Sequence, residues 1–231
     1  MQRPFAVDRR VAAGGFAVAA IVVLSAVALA RAPLPVVDTR DPAAARDLVT
    51  LMRAGERSNW IASYAFTRTL ANGRTLRENR REGRSSSLHV LIGGSVMTIE
   101  QGDRSYDCNL VADRSGCKES TIGATLPASE VLRVAVSVGA YDVVRRPDVT
   151  IAGIRARCFR VLATGRGGLP DLGVETDQCL SSDGISLRQL VVRPPGTVDT
   201  EVATEVKRPA TTADIDALAA SFAPNPVSAQ R

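Results

Sequence analysis

Few side chains in this sequence are spaced to do chemistry. His89 is the only histidine, so a Ser-His-Asp site would have to use it as the base. Its segment, residues 88–92, alternates, and His89 stands opposite in parity to Leu88, Val90 and Ile92, which points it at solvent. No Gly-x-Ser-x-Gly elbow accompanies it, and Gly93-Gly94-Ser95 reads as a turn. The carboxylates Asp171 and Glu175, or Asp177 and Asp183, fall in loops and at strand ends, where solvated charges are ordinary. Gly165-Arg166-Gly167-Gly168 has the composition of a phosphate loop but lacks both the Gly-Lys-Ser/Thr ending and a following helix, so it reads as a hairpin loop. No catalytic residue and no cofactor is expected, and the chain is expected not to be an enzyme.

Cysteine offers more. Cys108, Cys117, Cys158 and Cys179 form an even set that admits three pairings, and the local pairing is the expected one. Cys108 and Cys117 flank the polar loop 109–116 and would meet across a hairpin. Cys158 and Cys179 lie on successive strands joined by the loop 164–173. Each bridge would stabilise by roughly 2–4 kcal/mol, chiefly by restricting the unfolded chain. Neither a C-x2-C spacing nor a nearby histidine suggests a metal site, and no C-x-x-C pair suggests redox catalysis.

These cysteines need an oxidising compartment, and the N-terminus supplies the route to one. Residues 11–30, VAAGGFAVAAIVVLSAVALA, carry no charge. A helix of about 20 residues spans the roughly 30 Å hydrocarbon layer. Arg3, Arg9 and Arg10 precede it and only Arg31 follows closely, which orients the N-terminus to the cytoplasm. Ala28-Leu29-Ala30 has the form of a signal cleavage site, but signal h-regions run only about 7–15 residues, so a retained anchor is the favoured reading. The expected division is a cytoplasmic tail 1–10, a transmembrane helix 11–30, a Pro-containing linker 31–41, an extracytoplasmic β-rich domain 42–223 and a frayed tail 224–231.

The net charge of +5 comes from 29 Lys+Arg against 24 Asp+Glu, and Lys118 and Lys207 are the only lysines. Basic residues are interleaved with acids, as in residues 77–82, whereas phosphate readers gather them on one face; a nucleic-acid partner is not expected.

Within 42–223, Asp41 can cap a helix with Pro42 at its first position, and Leu48, Val49 and Met52 continue it to about Gly55. Trp60, Ala62, Tyr64 and Phe66 alternate with polar residues, as in a strand with one buried face. Asn72-Gly73 turns this strand into residues 74–84, charged on both parities and therefore expected to be wet on both faces. Strands at 88–92, 95–101 and 104–110 extend a meander, with Gly93-Gly94 as the turn between the first two. Residues 127–138 are read as a helix striped by Val131, Leu132 and Val136, although the valines also suit a strand. Strands resume at 154–163, 174–181, 185–193 and 200–207, with Asp183-Gly184 as a turn. A closing helix starts at Thr212 or Asp214 and runs through Leu218 and Phe222. The class is α+β: the transmembrane helix, then a curved, half-barrel-like antiparallel sheet packed with a few helices.

Trp60, Tyr64, Phe66, Arg68 and Gly73, then Gly153 with Cys158-Phe159, and Cys179 with Asp183-Gly184-Ile185, resemble the LolA-like superfamily of bacterial lipoprotein carriers, sensors and lipid-binding lipoproteins. The resemblance spans roughly residues 41–222. It implies a strongly curved sheet wrapped around helices, enclosing an apolar cavity for acyl chains or offering a surface that senses a misplaced lipoprotein. An anchored chain cannot shuttle freely, and four cysteines are not a general family feature. The leading functional expectation is a non-enzymatic extracytoplasmic domain, tethered to the bilayer, that binds an acyl chain, lipid or lipoprotein through Trp60, Tyr64 and Phe66. The alternative is an envelope regulatory or structural module that meets a protein partner, with the charged strand 74–84 as its surface and a fully packed core as its mark.

Overall fold

Asp41 opens the first helix as expected: its side chain accepts hydrogen bonds from the backbone N–H groups of Ala43 and Ala44 at 3.0 and 2.9 Å, and Pro42 occupies the first turn. In this computed structural model, residues 41–102, 104–111, 116–120, 126–165, 169 and 172–220 are described. The expected tail 1–10, transmembrane helix 11–30, nearly all of the linker 31–41, Phe222 and the tail 224–231 lie outside the described residues. Among the described residues no helix is long and apolar enough to cross a membrane. The described elements all belong to the unit Thr39–Arg231.

The elements run α1 (Pro42–Arg57), β1 (Trp60–Thr69), β2 (Thr75–Arg84), β3 (Leu88–Gly93), β4 (Val96–Gln101), β5 (Arg104–Asn109), β6 (Gly116–Ser120), α2 (Ala128–Ser137), β7 (Tyr141–Ile151), β8 (Ile154–Ala163), β9 (Glu175–Leu180), β10 (Ser186–Arg193), β11 (Thr197–Lys207) and α3 (Thr212–Ala220). The strands form one antiparallel sheet of eleven, in the order β6-β5-β4-β3-β2-β1-β11-β10-β9-β8-β7. Two meanders are thus stitched together by their first and last strands, and the chain segment containing α2 carries it from one sheet edge to the other. Register shifts at Ser63/Tyr64, Ser186/Arg188 and Arg146/Val149 mark bulges, which bend the sheet and raise its local twist.

Residues directly opposite in adjacent strands share a face, so the register tells which side chains stand together. Phe66, Glu201, Gln189, Gln178 and Phe159 form one such row across β1, β11, β10, β9 and β8. On this first face, α1 and α2 pack over the β7–β9 end, where Leu48, Leu51, Met52 and Leu132 meet Tyr141, Val143, Phe159 and Val161. On the second face, α3 packs over the β1–β5 end, where Ile215 and Leu218 meet Ile61, Val90, Ile92, Met97 and Cys108. The described helices therefore cover diagonally opposite quarters of the sheet. A third buried cluster joins Trp60, Ala62 and Tyr64 to Ile185, Leu187, Ala203, Cys158 and Cys179.

One close approach locks α1 to the sheet. A Cβ on Gly55 would sit 2.2 Å from the carbonyl oxygen of Gly184, and one on Gly184, whose φ is +84°, would sit 1.9 Å from the carbonyl oxygen of Leu51. Only glycine allows both backbones to touch there.

The antiparallel sheet packed with a few helices and both disulfides follow the sequence: Cys108 is bridged to Cys117 and Cys158 to Cys179, each pair directly opposite across adjacent strands. Several elements differ. β6 and β7 were not expected as strands; β6 is short and polar, and β7 contains Pro147. Both are sheet edges and Pro147 falls in the bulge, so its missing N–H costs no ladder bond. The turn between β3 and β4 is Gly94-Ser95, with Gly93 paired to Val96, one residue later than expected. Asn72-Gly73 lies in a three-residue loop between the hydrogen-bonded Leu70 and Arg74, with Gly73 at φ +80°. In α2 the buried stripe is Ser129, Leu132 and Ala135, with Val136 beside it and Val131 only half-buried.

Candidate functional site

Apart from the last turn of α1, which meets Trp60, the first face of the sheet at its β1–β4 end has no described helix over it, and the site is built there. Trp60, Tyr64 and Phe66 point to this face from β1, and all three are buried, at 4, 2 and 4% exposure. Each is engaged. The Trp60 indole N–H donates to the Gly55 carbonyl at 3.1 Å, the Tyr64 hydroxyl donates to the Ser186 carbonyl at 3.0 Å, and the Arg80 guanidinium stacks 3.3 Å from the Phe66 ring centroid.

The neighbouring strand supplies the charges. Register places Arg84, Glu82, Arg80 and Glu78 opposite Trp60, Ala62, Tyr64 and Phe66. Glu78, Arg80 and Glu82 are only 19–24% exposed at their side chains, because the β1 aromatics lie beneath them. Wetness on both faces was expected for this strand; its start at Thr75 and Leu76 is exposed, and beyond it only Arg77, Asn79 and Arg81, on the second face, stay so. Glu78 accepts from Arg80 Nε at 2.7 Å. Further along β1, Arg68 makes a bidentate pair with the buried carboxylate of Asp199 at 2.6 and 2.8 Å, and Arg193 shares that carboxylate.

His89 departs from its expected solvent exposure. Its parity is as read, opposite to Val90 and Ile92, but register sets it between Arg84 of β2 and Glu100 of β4 and leaves it 19% exposed. Nε2 lies 2.8 Å from Glu82; Nδ1 lies 2.9 Å from Glu100 and 3.0 Å from Arg84 Nη2. Those two contacts at Nδ1 are alternatives, since the neutral nitrogen accepts from Arg84 whereas the protonated one donates to Glu100. Burial opposes the charge, but the hydrogen bonds to Glu100 and Glu82 outweigh it and raise the imidazole above its ordinary value. Glu100 is correspondingly lowered, first by its bond to His89.

Glu201, opposite Phe66 on β11, is the strained member. Burial first, and then the negative charge of Glu82, push its carboxyl up to about 7 despite Arg80. Its buried Oε1 has no hydrogen-bond partner among the described residues, its ion-pair contact with Arg80 Nη1 being 3.6 Å long. Such an orphan acceptor is uncommon in native folds and calls for a specific cause.

The other sequence candidates disperse. Glu175 and Asp177 both face Arg160, at 3.3 and 2.9 Å, while Asp183 accepts from Ser181 at 2.6 Å and pairs with Arg208. Asp171 and residues 166–168 lie outside the described residues. No group of three or more His, Cys, Asp or Glu side chains able to hold a metal ion occurs among the described residues. Sequence reasoning missed Glu201, His89 and the half-buried row of β2 as one constellation. The alternation of charged residues on β2 beside an aromatic strand was the available signal.

No family model matches the sequence, and no curated protein matches it. Solved structures do. A chain of the Pseudomonas aeruginosa MucA/MucB complex is similar at a TM-score of 0.53 and 16% identity, over 74% of this chain and 59% of that one. MucB alone gives 0.47 at 12% identity, over 77% and 63% of the respective chains. A LolA superfamily protein from Nitrosomonas europaea gives 0.37 at 8%, over 74% and 96%. This chain spans about three fifths of the length of the matched chain in the complex. The likeness is one of fold.

Proposed function

We propose that this chain is a non-enzymatic binding module of the cell envelope, tethered through residues 11–30, whose extracytoplasmic domain docks a protein partner on the charged end of its first face. The observation that carries the reading is Glu201. A buried carboxylate oxygen without a hydrogen-bond partner, set among half-buried charges, is what a surface awaiting a partner's donor would keep. The engagement of Trp60, Tyr64 and Phe66 by Gly55, Ser186 and Arg80 adds support, because a lipid entering between these rings would have to part those contacts. The same fold also occurs in an assembly of two proteins, the MucA/MucB complex.

The test is site-specific photo-crosslinking in cells. A photo-reactive residue at Glu78 is expected to capture one discrete envelope protein, and the same residue at the exposed Arg155 is not. Equal labelling from both positions, or none from Glu78, would discard the reading.

A further inference from the structure

The quarter of the second face that no described helix covers, over β7–β10, holds a separate feature. Register sets Arg146 opposite Cys158, Cys158 opposite Cys179 and Cys179 opposite Arg188. One line of side chains thus crosses four strands: an arginine, a disulfide, an arginine. Cys158 alternates with Phe159, which packs under α1 and α2, so this line lies on the opposite side. A cleft of about 200 Å³ opens above it, lined by Arg146, Val149, the bridged cysteines, Asp177 and Arg188.

The ion pairing of these strands is uneven in a telling way. β7, β8 and β10 carry seven arginines. Arg145, Arg155, Arg157, Arg160 and Arg193 each pair with a carboxylate. The two that pair with none among the described residues are Arg146 and Arg188, and both line the same cleft. Asp177 lines the cleft beside them and feels both of their charges, but its hydrogen bonds go to Arg160, at 2.9 and 3.1 Å, so neither guanidinium is held in a direct ion pair. An apolar floor with a guanidinium at each side is a concave site for an oxyanion, since planar donors bind phosphate or carboxylate through paired hydrogen bonds. Two unpaired monocations match a dianion better than a single carboxylate.

We propose that this cleft is a phosphate-binding subsite in which Arg146 and Arg188 grip one phosphate group from opposite sides above the Cys158–Cys179 bridge. The group can arrive as free phosphate or as the phosphomonoester head of a lipid, and the same two side chains serve both.

The experiment is calorimetric titration of the full-length chain in neutral detergent, with inorganic phosphate and with dihexanoyl phosphatidic acid as probes. Saturable binding is expected, weakened at least about tenfold in Arg146→Gln/Arg188→Gln, in line with the loss of charge-assisted hydrogen bonds. Arg155→Gln, which removes one positive charge from a neighbouring strand position outside the cleft, is expected to bind as the parent does. Affinity for both probes supports the site with either source, and affinity for the lipid probe alone supports it with a lipid source. Absence of saturable binding by either probe overturns it, as does equal weakening in Arg155→Gln or undiminished binding in the folded double variant. A circular-dichroism melt that matches the parent establishes folding, and neither replaced arginine belongs to an ion pair whose loss would unfold the chain.

Discussion

The two ends of the sheet solve the same problem differently. At the β7–β9 end, the first face is roofed by α1 and α2 and filled with Leu48, Leu132, Tyr141, Phe159 and Val161, without an ionised group among the core residues. At the β1–β4 end the same face has no described roof, and aromatic side chains there lie under Glu78, Arg80, Glu82 and Glu201. Apolar burial stabilises the first end outright, at about 25 cal/mol per Å². The second end covers its rings with charges, and it retains a buried carboxylate oxygen that has Arg80 within ion-pair range but no hydrogen-bond partner among the described residues. Stability is concentrated where the helices lie, and the proposed recognition surface where they do not.

The comparison breaks most easily in the roofed core. Leu48→Ala is expected to cost about 3 kcal/mol, read from the urea midpoint, since full burial leaves a cavity that packing cannot close. A loss below about 1 kcal/mol would mean that α1 is loosely seated.

Each end also carries one disulfide, and the two should differ. The Cys158–Cys179 bridge spans 21 residues and Cys108–Cys117 spans 9. Replacing the first pair with alanine is expected to cost about 3 kcal/mol and the second about 0.7 kcal/mol less, from loop-closure entropy alone. The reverse order would place the greater cooperativity in the β4–β6 end.

A smaller effect sharpens the charged end. Glu201 is held at about 7 against its ordinary 4.5, so the native state keeps a proton that the unfolded chain has released, and stability falls as pH rises from about 4.5 through about 7. His89 is raised above 6.5, so its contribution is complete below 6.5 and is lost as pH climbs through the folded value. Both groups act in the same direction. Glu201→Gln is expected to gain on the order of 1–2 kcal/mol relative to the parent at pH 8 and little at pH 5, measured by urea unfolding. A gain equal at both pH values would mean that Glu201 is not the titrating group. Least of all, Arg155→Gln, at a pair 83% exposed on the arginine side, should change stability by less than about 0.5 kcal/mol.

Legibility in the sequence divides along similar lines. The cap at Asp41, the aromatic alternation of β1 and the local cysteine pairing are short-range patterns, and they could be read directly. β7 could not, because Pro147 argues against a strand until one knows that the segment is an edge with a bulge. His89 was read with the right parity and the wrong exposure. Parity is a property of one strand, whereas the carboxylates that enclose His89 come from β2 and β4 through a register that the sequence does not print. Glu201 was invisible for the same reason, since β11 reaches β1 only by closing the whole chain.

The central claim is that the aromatic core is filled and that binding belongs to the charged face. Native mass spectrometry of residues 32–231 exported to an oxidising compartment, followed by denaturing, non-reducing measurement, tests it directly. The account predicts the mass of the polypeptide alone with both disulfides formed; a lipid adduct that survives native spraying and leaves on denaturation would contradict it.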